Sequence, residues 1–136
     1  MPALRLVAGL VARPAGDTAA HRRACNPARM ATADLTVIAL GRADASASRY
    51  IAEIQRRLAA QDRVRYVLHA MGTSLEGSTE DILKVVGELH AVPFELGIPR
   101  VYSVLKLDER RDREQTLEDK VASVRALIDE AAPDAG

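Results

Sequence analysis

The feature that most constrains this chain is the order in which two hydrophobic periodicities follow one another. A two-residue alternation buries one face of a strand and a 3.6-residue recurrence buries one stripe of a helix. Residues 33–41 alternate, with Leu35, Val37 and Ala39 on one face and Asp34, Thr36, Ile38 and Leu40 on the other. Ile51, Ile54 and Leu58 then recur at helical spacing as far as about Ala60, behind Asp44, Ser46 and Ser48 as candidate N-caps. Residues 64–70 predict a second strand, with Val64, Tyr66 and Leu68 facing away from Arg65, Val67 and His69. Met71-Gly72 predicts a tight turn in which glycine supplies a positive φ, and residues 73–76 a short third strand ending at Gly77. Ser78 and Asp81 predict a capping box opening a second helix along Ile82, Val85, Val86 and Leu89, which Pro93 should end or kink. Residues 101–108 alternate again, and Thr116 with Asp119 caps a third helix carrying Leu117, Val121, Val124 and Ile128 on one stripe.

The order is β-α-β-β-α-β plus a terminal helix, which predicts an α+β fold. It is the ferredoxin-like arrangement of an antiparallel sheet with helices on one face, followed by a C-terminal helix. With one Phe and three Tyr among 136 residues, the core has to be aliphatic. The formal net charge of zero is a cancellation: residues 1–29 hold Arg5, Arg13, Arg22, Arg23 and Arg29 against Asp17, a net of +4, and the remainder carries −4. Residues 1–29 are expected to be a basic, disordered extension or the product of a mis-set start ahead of Met30. An Arg-rich, acid-poor leader also fits an organellar transit peptide. The domain is expected over 30–132, with 133–136 a frayed tail. The charge balance argues against a nucleic-acid or anionic-membrane partner, and no apolar run approaches the roughly 18 residues of a membrane span. A lone Cys25 allows neither an internal disulfide nor a thiolate metal site.

Two helices cover one sheet face. The other carries Thr36, Ile38, Leu40, Val67, His69, Met71, Tyr102, Val104 and Lys106, too apolar a set for a face left in water. A homodimer or a dimer of dimers is therefore expected, packed partly through this face, with the third helix as a second contact. A subunit boundary is also where small-molecule pockets form.

Several blocks in order point to a family: Asp34-Leu35-Thr36-Val37-Ile38 with Ser46 and Ser48, His69-Ala70-Met71-Gly72-Thr73 with Glu76-Gly77, and Arg100-Val101-Tyr102 leading to Asp108-Glu109-Arg110-Arg111-Asp112. Together they resemble the small thiamine-binding-like family over roughly Asp34 to Ile128. The chain departs at Ala70, where family members often have Pro, and at Pro93, whose helix need not be broken in them. The resemblance implies an oligomeric ferredoxin-like domain that binds thiamine or its hydroxymethylpyrimidine half in the cytoplasm, with no other cofactor and no reaction catalysed. The chemistry of such a ligand, set against these residues, puts the expected contacts at Ser46, Ser48, His69, Met71, Thr73 and Glu76. Glu76 would accept from the aminopyrimidine amine, the hydroxyls would donate, and Met71 would lie against the ring. Tyr102, Lys106, Arg110 and Arg111 are candidates for an interface or for holding an anion.

Plainer readings stand beside these. His69 fits an interface or core position, Ser46 and Ser48 fit simple caps, and residues 108–114 fit a solvated loop. Two other functions share the topology: a metabolite-sensing regulatory module of the amino-acid-binding type, and a small enzyme acting on an anionic substrate. Against the enzyme, residues 41–45 lack a Gly-rich phosphate cradle and the one Asn, Asn26, lies in the leader. His21, His69 and His90 show no metal-ligand spacing.

Overall fold

The structure, a computed structural model, describes residues 30–130. The leader and tail expected at 1–29 and 133–136, and Cys25 with them, lie outside the described residues. Four strands and three helices follow in the expected order: β1 (Met30–Leu40), α1 (Ser48–Ala59), β2 (Arg65–His69), β3 (Gly72–Ser78), α2 (Thr79–Glu95), β4 (Arg100–Glu109) and α3 (Leu117–Glu130). The sheet is antiparallel, in the order β2-β3-β1-β4. That is the ferredoxin-like arrangement.

β1 is central, and its alternation builds the core. Ala31, Ala33, Leu35 and Val37 are buried beneath Tyr50, Ile54 and Leu58 of α1 and Ile82, Val85, Leu89 and Val92 of α2, with Leu75 joining them from β3. Each fully buried Leu, Ile or Val contributes about 1.5–3 kcal/mol against its exposed state.

Three local expectations change. The hairpin turn is Ala70-Met71, because His69 pairs with Gly72 and β3 runs through Gly77 to Ser78. Gly72 does not have a positive φ; that conformation belongs to Gly41 and Gly97. Pro93 does not stop α2, which continues to Glu95. Sitting in the final turn, it removes one backbone donor, and its buried ring packs in the core. The helix ends instead on Gly97 at φ +81°, with Ile98 N–H donating to Pro93 O (3.0 Å) and Gly97 N–H to Phe94 O (2.9 Å).

The expected caps hold at two helices of three. Ser78 accepts from Asp81 N–H, and Thr116 and Asp119 bond each other's backbone N–H reciprocally. At α1 the N-cap is Ala47, with no side-chain cap. Ser46 Oγ instead takes a long contact from Ser48 N–H (3.4 Å), while Asp44 holds Ser46 N–H at 2.8 Å.

β1 outruns β3, which begins only opposite its middle, so Val37 and Ala39 have no strand on that side. The Tyr50 hydroxyl replaces the missing partner: it donates to Val37 O (3.3 Å) and accepts from Ala39 N–H (3.4 Å). Arg42 lies over the same ring, 5.3 Å from its centroid. Tyr50→Phe keeps the apolar ring but strands both backbone groups. It is expected to cost about 1–3 kcal/mol, seen as a lower urea midpoint at unchanged m-value.

Candidate functional site

The sheet face away from α1 and α2 carries the even-numbered residues of β1, β3 and β4, with Arg65, Val67 and His69 of β2. Its upper half holds one polar rung crossing the sheet. Asp34, at the middle of β1, accepts from His69 Nε2 at 2.7 Å and stands 3.9 Å from Lys106 Nζ of β4. His69 and Asp34 lie on strands separated by β3. The imidazole crosses because β3 has Gly72 opposite it: a Cβ there would sit 2.6 Å from Leu35 O and 3.4 Å from the ring's Cε1. Nδ1 accepts a long contact from Met71 N–H (3.4 Å), an arrangement suited to the Nε2–H tautomer. Thr36 Oγ1 donates to Met71 O (3.1 Å), tying the hairpin to β1. Around the rung the floor is apolar, with Val67 on one flank and Ile38, Val104 and the exposed Tyr102 on the other.

The lower half of the face anchors α3. Glu76 is 4% exposed, a carboxylate almost removed from water, and both its oxygens are engaged. It accepts from Arg65 Nη1 at 2.7 Å and from the N–H of Leu117, first residue of α3, at 2.9 Å. Arg65 also binds Glu118 (2.7 Å), while Lys120 binds Thr32 Oγ1 (2.7 Å) and Asp108. Burial works against the charge of Arg65, yet Glu118 and Glu76 outweigh it and raise its pKa. Burial likewise works against ionised Glu118, but its bond to Arg65 leaves the carboxyl below the ordinary range. Asp119 is lowered first by the Thr116 backbone N–H. Beyond this first turn, Val121, Val124, Leu127 and Ile128 of α3 are exposed.

The residues singled out from sequence therefore separate. His69 and Met71 lie together beside the upper rung, and Lys106 and Tyr102 are on the same face. Glu76 is on that face too, but in the lower half and engaged by α3. Thr73 points to the opposite side, where its hydroxyl accepts from Gln55 of α1 at 3.0 Å. Ser46 and Ser48 stay at the start of α1. Arg110 pairs with Asp112 and Arg111 with Glu109 (3.1 Å), so both guanidinium groups already have carboxylate partners. Asp34 was not among the candidates, although an acid between apolar neighbours in the middle of a strand is a visible signal. Gly72 supplies space rather than the positive φ that the sequence predicts.

A family model described as thiamine-binding protein matches residues 33–125, and the chain belongs to that family. It is 39% identical over 98 residues to the UPF0045 protein YqgV of Bacillus subtilis, covering 70% of this chain and 94% of that protein. Its fold is similar to the crystal structure of the hypothetical protein MJ1052 of Methanocaldococcus jannaschii, at 36% identity and TM-score 0.65, covering 71% of this chain and 97% of that one. It also shares the fold of a Thermotoga maritima protein proposed to act in thiamine biosynthesis or salvage, at 24% identity and TM-score 0.59, covering 71% and 99%.

Two outcomes follow from the geometry. Gly72→Ala has to displace either the Leu35 carbonyl or the imidazole; it is expected to cost about 1–3 kcal/mol and to remove the His69–Asp34 contact, read from the imidazole proton shifts. Because Glu118 and Asp119 have lowered folded-state pKa values, the stability they supply is complete above the ordinary carboxylate range and lost as pH falls through the folded values. Amide exchange at residues 117–120 is expected to be protected at neutral pH and to lose protection below about pH 4, ahead of the sheet.

Proposed function

We propose that this member of the thiamine-binding protein family is a non-catalytic cytoplasmic binding protein for thiamine or its hydroxymethylpyrimidine half, acting as a homodimer or dimer of dimers. The observation that carries the reading is the Asp34 rung: a carboxylate set between His69 and Lys106 on an otherwise apolar sheet face. An aminopyrimidine is flat and offers an amine donor beside ring-nitrogen acceptors, so it needs an acceptor, a donor and an apolar wall. Asp34 takes the amine, the Lys106 ammonium reaches a ring nitrogen, Val67 and Ile38 form the floor, and Met71 closes over one edge. A thiazolium cation finds the face of Tyr102. In this reading Glu76 supports the site by fixing α3, and the acceptor role passes to Asp34. Self-association is supported by the apolar side chains left in water on β4 and α3. No helix among the described residues is long and apolar enough to cross a membrane.

The test is a thermal-shift and calorimetric titration with thiamine, its pyrimidine and thiazole halves, and a panel of amino acids. Ligand at 100 times its dissociation constant should add about 2.7 kcal/mol of stability. Asp34→Asn is expected to weaken thiamine or pyrimidine binding by about tenfold or more, since a charge-assisted hydrogen bond is lost. Response to an amino acid and not to thiamine would replace this reading with a regulatory one, and silence towards the whole panel would remove the ligand.

A further inference from the structure

His69 stands at the centre of the candidate site, and the sequence expects it to touch the ligand. Both of its ring nitrogens, however, already have partners within the chain. Nε2 meets Asp34 Oδ1 at 2.7 Å, and Nδ1 takes the long contact from Met71 N–H at 3.4 Å. The ring therefore offers a ligand no polar atom of its own. Both partners are referred to β1: Asp34 belongs to that strand, and Thr36 Oγ1 holds Met71 O at 3.1 Å. The crossing also requires Gly72, since a Cβ there would stand 2.6 Å from Leu35 O and 3.4 Å from the imidazole Cε1. A glycine and both nitrogens of a histidine are thus committed to one carboxylate. That carboxylate is held from one side. Oδ1 answers the imidazole, while Oδ2 is left towards β4, 3.9 Å from Lys106 Nζ and beyond hydrogen-bond reach. Directly across from Asp34 stand Ser74 on β3 and Lys106 on β4.

We infer that His69 is a positioning residue: it touches no ligand and fixes the Asp34 carboxylate so that Oδ2 is the acceptor presented to an incoming amine. For the identity of that amine the inference rests on the proposed function; the fixing of Asp34 is read without ligand, so each can fail alone. The Asp34 side chain is 34% exposed, enough to turn in water if nothing held it. A carboxylate free to turn must be ordered as the ligand binds, and ordering one such side chain lowers affinity by about three- to tenfold. Asp34 oriented in advance avoids that loss. An Nε2–H imidazole also donates to the carboxylate without adding a positive charge beside a cationic thiazolium. A plain cross-sheet staple would serve stability in the same way but would leave the affinity of the folded chain unchanged. Side-chain reach separates the two roles. Gln can place its amide Nε2–H where the imidazole Nε2–H stands, whereas Asn carries its polar atoms only as far as Nδ1.

The test titrates the full-length chain, His69→Asn and His69→Gln calorimetrically with thiamine and with hydroxymethylpyrimidine. His69→Asn is expected to weaken binding about three- to tenfold, and His69→Gln to bind as the wild type does. In an Asp34→Asn background, His69→Asn is expected to change affinity no further, because positioning acts only through the carboxylate. The ordering itself is read without ligand, from the Asp34 χ1 couplings by NMR. One rotamer is expected in the wild type and in His69→Gln, and an average of rotamers in His69→Asn. Equal losses from Gln and Asn, or losses that multiply with Asp34→Asn, make His69 a direct contact and overturn the inference. Unchanged affinity in His69→Asn, or rotamer averaging already in the wild type, overturns it as well. An ordered Asp34 in a chain that binds neither thiamine nor the pyrimidine removes the proposed ligand, while the fixing of Asp34 by His69 stands on the couplings.

Discussion

The whole molecule depends on the two-sidedness of β1. It is bonded along both edges, to β3 and to β4, and its odd and even residues serve different purposes. Ala31, Ala33, Leu35 and Val37 anchor the core under both helices, while Thr32, Asp34, Thr36 and Ile38 line the opposite face. A slip of one residue would bury Asp34 in the core and expose Leu35, so the hydrophobic term that fixes the register also fixes where the carboxylate stands. Core and candidate site are two results of one alternation.

The open face divides by how its polar groups are satisfied. In the lower half every strong charge is spent on holding α3: Glu76 is nearly buried, and its oxygens answer Arg65 and the first N–H of the helix. Placing a carboxylate at a helix N-terminus satisfies an otherwise orphaned donor and complements the helix dipole. In the upper half the groups are less committed. Asp34 has one short contact to His69 and a distant lysine, both partly in water. A ligand is more easily bound where charges remain accessible than where desolvation and pairing have already been settled.

The helix α3 shows a related asymmetry. Its first turn is tied to the sheet by three side chains and a capping box, yet Val121, Val124, Leu127 and Ile128 of its apolar stripe are exposed. Tyr102, Val104 and Leu107 of β4 and Leu83 and Phe94 of α2 are likewise exposed. Together these surfaces account for most of the large apolar side chains left in water among the described residues.

Much of this was legible in the sequence. Order of elements, strand faces, the capping boxes at Ser78 and Thr116, and the resemblance carried by the Asp34, His69 and Arg100 blocks all follow from local periodicity and local chemistry, which depend on neighbours a few residues apart. The roles of Thr73 and Glu76 were not. They lie three residues apart in one strand, so they fall on opposite faces, and only the pairing of β3 with β1 and the arrival of α1 and α3 decide what each one meets. Gly72 was visible as a glycine, but whether it serves through φ or through empty space depends on a carbonyl and an imidazole brought to it from other strands. Pro93 was visible as a helix breaker, and what spared the helix was its place in the last turn, where one lost donor matters little. The sequence by itself determined which residues alternate, cap and turn. Only the tertiary structure decided which of them share a face and which meet across strands and helices, because the contacts that join those elements reach from 11 positions for Arg65 and Glu76 to 88 for Thr32 and Lys120.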